Sequence, residues 1–344
     1  DIAKLKVQCL LANTYHLHFK VGSRKIKRAG GLHKWMKFSK PLFTDSGGFQ
    51  AFSLGIGRET SAKKIGFVPE NRIPDKKKKE SYAKITSRGV LFKSMYDEKK
   101  YFMDAKKSMA IQSDFGADII MAFDECTSAF QTKEYIKKSM ERSHKWEIES
   151  LKFHNKKQEL YGIIHGGWFK DLRIKSASFV NSQNFDGIAI GGSLGKAKTN
   201  MYKILDWVVP ELDERPRHML GIGHIEDIFE CVERGIDTFD CVEMTRLARH
   251  GSVYVSPKSG GNKNNKFKID LGKGKFADDK KRIDKNCKCL TCKKYSRAKL
   301  RKLHKSQDFE KRKTYGKLAT IHNIYFMENL TRKIREAIRK GNFS

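Results

Sequence analysis

Asp45 closes the short apolar run Pro41-Leu42-Phe43 and is followed by Ser46, Gly47, Gly48, Phe49 and Gln50. A strand that stops on a carboxylate and turns through glycine sets that acid at the rim of a sheet, beside bare backbone amides. Such a rim can move protons and hydrogen-bond a flat polar ligand. Asp240, in Ile236-Asp237-Thr238-Phe239-Asp240-Cys241-Val242, ends another apolar run far along the chain. Two strand-end carboxylates suit the acid/base and nucleophile pair that breaks glycosidic bonds with retention. Asp124, in Ala122-Phe123-Asp124-Glu125-Cys126, is a third strand-end acid, although Asp followed by Glu also fits a helix N-cap. His165 precedes Gly166-Gly167, and Gly191-Gly192-Ser193 has the same look. Paired glycines there imply something approaching the backbone closely, although a lone His can also be a satisfied core residue. Acids, an imidazole and bare amides around one mouth suit an aminopyrimidinone edge, which offers donors and acceptors side by side.

Two further groups carry chemistry. Arg246 and Arg249, in Met244-Thr245-Arg246-Leu247-Ala248-Arg249, sit one turn apart just after Asp240. They can anchor phosphates or bases, or form an ordinary basic face. Cys287, Cys289 and Cys292 make a compact thiolate trio, and His322 follows at the expected start of a helix, Thr320 to Arg339. Three sulfurs and an imidazole form a closed tetrahedral Zn2+ site, structural because no position is left for water. His304 is a rival fourth ligand.

Elements must hold these residues in place. Apolar runs ending in polar or glycine residues recur at Val7 to Ala12, Leu42-Phe43, Ile119 to Phe123, Leu160 to Ile164, Ile188 to Ile190, Met219-Leu220 and Phe239. Helix-period segments lie between them, among them Glu134 to Phe153, Lys170 to Val180, Tyr202 to Val209 and Glu226 to Arg234. This alternation predicts a parallel α/β sheet with its chemistry at the carboxyl ends of the strands. Seven runs fall one short of a closed barrel. A doubly wound sheet is the competitor, but no Gly-x-Gly-x-x-Gly follows a strand. The barrel is expected over 1–255, with a polar, lysine-rich excursion at about 55–89. Loops, a zinc-binding subdomain and a C-terminal helix completing the barrel are expected over 256–344.

The chain has 344 residues and a net charge of +32, far beyond what solubility requires. Beside the bland reading of solvated lysine faces stands a polyanionic partner, most simply nucleic acid. No stretch approaches the ~20 apolar residues that span a bilayer. Cys9, Cys126, Cys231 and Cys241 are scattered singly in apolar surroundings, and no disulfide framework emerges from the seven cysteines. A reducing cytoplasm is the expected compartment.

These residues together resemble the tRNA-guanine transglycosylases, which exchange guanine for a 7-deazaguanine at the anticodon wobble position. Asn13-Thr14-Tyr15-His16-Leu17, Asp45 to Gln50, Gly235 to Val242 and the Cys-x-Cys-x-x-Cys…His site occur in order, from about Ala12 to Ser344. The resemblance implies a (β/α)8 TIM barrel with an inserted zinc subdomain, a homodimer, and an N-terminal portion with the first barrel strand that this chain lacks. It makes Asp240 the nucleophile at ribose C1′ and Asp45 the acid/base. Asp124 and Ser46 then hold the base, with Cys126, His165, Gly191, Gly192 and Gly221 among the base-contacting positions. Phe49 and Leu220 sandwich the ring, and Arg246 and Arg249 read the flanking nucleotides of the tRNA.

Three departures bear on the incoming base. Most bacterial members carry Gln at the position of His165. The family's Gly-Gly-Leu-x-x-Gly-Glu is here Gly191-Gly192-Ser193-Leu194-Gly195-Lys196, one residue shorter and with Lys for Glu. Met244 replaces a Pro. A lysine near a primary ammonium repels it, so queuine is expected over the aminomethyl precursor used in queuosine biosynthesis. A non-catalytic accessory subunit, the competing reading, lacks the two acids that are present here. A related enzyme acting on archaeal tRNA or on DNA is the third reading. The archaeal type is disfavoured by the lack of an RNA-binding domain after residue 344.

Overall fold

The computed structural model describes residues 5–49, 83–195 and 197–343. Gln50, most of the polar excursion with its lysine run at 76–79, and Lys196 lie outside them. The chain divides into two compact units.

The first unit comprises Cys9–Ile222 and Asp227–Asp240. Its strands in chain order are β1 (Leu10–Ala12), β2 (Leu42–Thr44), β3 (Ala83–Ile85), β4 (Val90–Lys93), β5 (Lys100–Met103), β6 (Ile119–Met121), β7 (Glu159–Ile164), β8 (Gly187–Ile190), β9 (Arg217–Met219) and β10 (Thr238–Phe239). Seven of them form one parallel sheet in the order β1-β2-β6-β7-β8-β9-β10. That order never reverses, whereas a doubly wound sheet reverses at its switch point, so the competitor is excluded.

The sheet also curls. Laid flat at about 4.8 Å per strand, β2 and β9 would stand roughly 19 Å apart. Yet the Phe43 and His218 rings stack with centroids 5.1 Å apart. Phe43, Met121, Tyr161, Ile163 and Ala189, from β2, β6, β7 and β8, pack into one interior cluster with Leu11 and Leu220 against it. Strands buried on both faces read as continuous apolar runs, and β8 is buried throughout. This is the (β/α)8 architecture with seven of its strands among the described residues, β1 and β10 being the two edges.

Helices Lys133–Phe153, Lys170–Asn181, Lys198–Val208 and Ile225–Glu233 fall within a few residues of the expected segments. Thr132, accepting from the Tyr135 amide, caps the first of them. Asp124 lies in irregular backbone before it and is therefore no N-cap. Between β2 and β6 the antiparallel sheet β3-β4-β5 is inserted.

The second unit, Asp1–Gln8, Gly223–Glu226 and Cys241–Ser344, holds an antiparallel pair, β11 (Ser252–Tyr254) with β12 (Lys268–Asp270). Val253, Leu271, Ile283, Leu300, Tyr315 and Leu318 form its core with the three clustered cysteines. The C-terminal helix runs Phe309–Arg339, not from Thr320 as expected. Asp308 starts it by accepting from the Glu310 and Lys311 amides, and Gly316 is tolerated inside it. His322 therefore sits in mid-helix.

Candidate active site

Asp45 leaves β2 at the carboxyl rim and is gripped from the end of β1. The Asn13 side-chain amide donates to Oδ2 at 2.6 Å, and the Thr14 backbone amide donates to Oδ1 at 2.6 Å. The Thr14 hydroxyl donates to the Asp45 carbonyl at 2.5 Å. Both carboxylate oxygens are thus fixed by the N-cap and first residue of the helix that follows the neighbouring parallel strand.

Asp124 follows β6 and is almost fully buried. The Ser46 hydroxyl donates to its Oδ1 at 2.9 Å, and Ser46 is itself held by Ser108, whose hydroxyl donates to the Ser46 carbonyl at 2.7 Å. Gly48 must be glycine, because a Cβ there would stand 2.7 Å from the Asp124 carbonyl oxygen. Burial pushes the Asp124 carboxyl up to about 7, with the charges of Asp45 and Glu125 adding and the Ser46 hydrogen bond opposing. Glu125 points elsewhere, onto Arg142 at 2.7 Å and the Tyr135 hydroxyl at 2.8 Å.

His165, after β7, sets Nε2 3.4 Å from Asp124 Oδ2. The contact lacks hydrogen-bond geometry. Burial pulls the imidazole down to about 3, with Arg173 and His144 adding. A neutral ring beside a carboxyl that titrates near 7 is not an ion pair; the Nε2 is a buried polar atom without a hydrogen-bond partner among the described residues. Gly192 holds φ +71°, a left-handed conformation that frees the loop beside the ring, its Cβ site 3.3 Å from His165 Nδ1. Cys126 is half-buried nearby, and desolvation pushes its thiol up, so it is an unreactive neutral thiol.

One residue ties these loops together. Arg173, fully buried on helix Lys170–Asn181, donates to the carbonyls of Gly167 (2.8 Å), Ile164 (2.9 Å), Gly191 (2.9 Å) and Ser193 (2.8 Å). Burial without a carboxylate pulls its guanidinium down to about 9. Four carbonyl dipoles aimed at a planar fork keep it cationic at neutral pH.

Asp240 follows β10. Its Oδ1 accepts from the Gly221 amide at 2.8 Å and lies 3.3 Å from His218 Nε2. Leu220, partly buried against the interior cluster, flanks Gly191, whose Cβ site would lie 2.9 Å from its Cδ1. Phe49 is partly exposed at the end of the described segment. One unit thus collects Asp45, Ser46, Asp124, Cys126, His165, Gly191, Gly192, Leu220, Gly221 and Asp240.

Arg246 and Arg249 belong to the second unit, on helix Glu243–Arg249. Asn323 pins that helix, its side-chain amide donating to the Met244 carbonyl at 3.0 Å. Cys287, Cys289, Cys292 and His322 are all buried, with ligand atoms within 4.8 Å of one another. The three sulfurs stand 3.6, 3.6 and 3.3 Å from His322 Nδ1. The ring's Nε2 donates to the Tyr254 carbonyl at 2.7 Å. That bond places the hydrogen on Nε2 and turns the Nδ1 lone pair toward the sulfurs, the outer-shell arrangement of a ligating histidine. The donor set fits a metal ion. His304 packs on Tyr315 instead and is not a member.

The strand order and the rim carboxylates are those of a TIM-barrel enzyme, to which a Cys3His cluster is added. The sequence model of the family "Queuine tRNA-ribosyltransferase" matches residues 1–344, and the chain belongs to that family, an enzyme of the pentosyltransferase class. An Archaeoglobus fulgidus protein provisionally described as a queuine tRNA-ribosyltransferase is 48% identical, over 100% of this chain and 86% of its own length. Queuine tRNA-ribosyltransferases of a Roseiflexus species and of Caldanaerobacter subterraneus are each 40% identical, over 98% and 99% of this chain and 84% and 82% of theirs. No helix among the described residues is long and apolar enough to cross a membrane.

Arg173 and His218 were not anticipated from sequence. A signal for His218 exists: period two places it on the same strand face as Leu220. Asn13 and Thr14 were matched as a motif without a role; here they hold Asp45.

Proposed function

We propose that this enzyme exchanges the wobble guanine of tRNA for a 7-deazaguanine through a covalent aspartyl–RNA intermediate. Asp240 attacks ribose C1′, the C1′–N9 bond breaks, and Asp45 gives a proton to the departing guanine. The incoming base then loses its N9 proton to Asp45 and displaces the Asp240 carboxylate, so protons balance over a full exchange. Two displacements retain the anomeric configuration. The target base must leave the stack to react. Asp124, Ser46 and the amides near Gly192 receive the base edge; Phe49 and Leu220 enclose its ring; Arg246 and Arg249 read its neighbours.

The observation that carries this reading is the placement of Asp45 and Asp240. Each follows a strand of one curled parallel sheet at its carboxyl end, and each has its carboxylate held by backbone amides. Asp240→Asn tests it: no RNA adduct should survive on denaturing gels, whereas Asp45→Asn slows turnover with the pocket still folded. An adduct that persists in Asp240→Asn refutes the nucleophile assignment.

Finer points belong to the same proposal. The Cys3His site holds Zn2+, closed and structural, the enzyme works as a cytoplasmic homodimer, and the surplus of +32 meets tRNA phosphate. Queuine is preferred over the aminomethyl precursor, because His165 is neutral and Ser193 is small. Competition between the two bases for guanine-loaded tRNA tests the preference; a clear win for the aminomethyl base overturns it.

A further inference from the structure

His218 is buried and caught on three sides. Its ring stacks on Phe43 at 5.1 Å with an interplanar angle of 24°. Its Nδ1 lies 2.9 Å from the hydroxyl of Thr238, its register partner across β9 and β10. Its Nε2 lies 3.3 Å from Asp240 Oδ1. A carboxylate only accepts, so the hydrogen of this contact is on Nε2, and Nδ1 then accepts from the Thr238 hydroxyl. One tautomer satisfies both contacts. Gly221 and His218 therefore both donate to Oδ1, and neither is hydrogen-bonded to Oδ2.

We infer that His218 is a positioning residue for the nucleophile, which with the Gly221 amide immobilises Asp240 Oδ1 and presents Oδ2 to ribose C1′. The inference rests on Asp240 being the nucleophile. Oδ2 forms the C1′–O bond while the C1′–N9 electron pair leaves with the base. Oδ1 becomes the ester carbonyl oxygen and keeps both donors. When the second base arrives, the C1′–O pair returns to the carboxylate, whose charge the same donors already face. No proton passes through His218; its contribution is geometric, holding an attack angle that a freely rotating carboxylate loses.

The test compares His218→Leu, His218→Gln and Thr238→Val with Asp240→Asn as control. Rates of RNA-adduct formation are measured in single turnover, and kcat and KM for tRNA in steady state. A Gln side chain offers an amide donor near the Nε2 position; Leu offers none; Thr238→Val removes only the hydroxyl that fixes the tautomer. Expected is a tenfold or greater loss of adduct-forming rate in His218→Leu with KM within twofold, recovery of most of it in His218→Gln, and a smaller loss in Thr238→Val. Equal rates in His218→Leu and His218→Gln, or a rise in KM without a fall in rate, overturn the inference. If His218→Leu does not fold, a Thr238→Val variant with wild-type adduct rates overturns it alone. An adduct surviving in Asp240→Asn instead refutes the nucleophile reading beneath it.

Discussion

Replacing Arg173 by Met keeps an unbranched apolar stem and removes four hydrogen bonds. The Ile164 carbonyl still accepts from the Gly191 amide at 3.2 Å. The carbonyls of Gly167, Gly191 and Ser193 have no second partner among the described residues. Three buried acceptors left unmet cost roughly 1–3 kcal/mol each, and relaxation toward water recovers part of that. The expected destabilisation is about 4 kcal/mol, within the range for breaking a buried charged network. Lysine should recover less than half, since one ammonium cannot meet four carbonyls arranged around a planar fork. All four tryptophans, Trp35, Trp146, Trp168 and Trp207, lie in the barrel unit, so their fluorescence during urea unfolding reports that unit alone. Base affinity should fall with stability, because the Gly191–Ser193 loop loses its anchor. A Met variant within about 1 kcal/mol of wild type, or a Lys variant equal to wild type, refutes the clamp.

Base binding should be linked to protons through Asp124. In the empty pocket its carboxyl keeps a proton up to about pH 7, and a base edge rich in donors requires the carboxylate. Calorimetry should therefore show affinity flat above about pH 8 and weakening up to tenfold per unit below 7; a flat profile from 5 to 8 refutes the linkage. The sign for stability is opposite. Unfolded Asp ionises near pH 4, so folding takes up a proton between about pH 4 and 7, and stability falls as pH rises through that window. Asp124→Asn should remove that slope in a denaturation series. Cys289→Ser, or treatment with a strong chelator, should lower stability by about 4 kcal/mol or more, while the exchange rate per folded molecule stays within twofold. Metal analysis giving less than half a zinc per chain contradicts the structural-zinc proposal.

The rim acids were visible in sequence because residue type and chain position coincide: an apolar run that ends in an acid, followed at Asp45 by a serine and two glycines. The cysteine trio was visible for a similar reason, being local. Arg173 was hidden because all its partners are main-chain carbonyls from separate segments, which no side-chain pattern records. His218 sits on a strand of three residues, Arg217–Met219, so its period-two relation to Leu220 is easily passed over. The early start of the C-terminal helix was missed because Gly316 masks its continuity and the cap at Asp308 lies upstream of the apolar stripe. The strand pattern suggested a parallel sheet, but its curl rests on a contact between β2 and β9 that is distant in sequence.

The pairing of β2 directly with β6, Phe43 opposite Ile119, has an engineering consequence. The sheet β3-β4-β5, which lies between them in the chain, leaves the register of that pair unaltered. Its anchors on the barrel are local: the Tyr15 hydroxyl accepts from the Met95 amide at 3.2 Å, His16 Nδ1 lies 2.8 Å from the Tyr96 hydroxyl, the Trp146 ring nitrogen donates to the Ser87 carbonyl at 3.0 Å, and Tyr15 and Phe19 pack on Phe92. Because chain closure costs grow only slowly with loop length, this segment is an interchangeable cassette beginning at the rim that bears Asp45. Exchanging it between family members would graft new surface beside a constant reaction centre, separating what the enzyme meets from what it does.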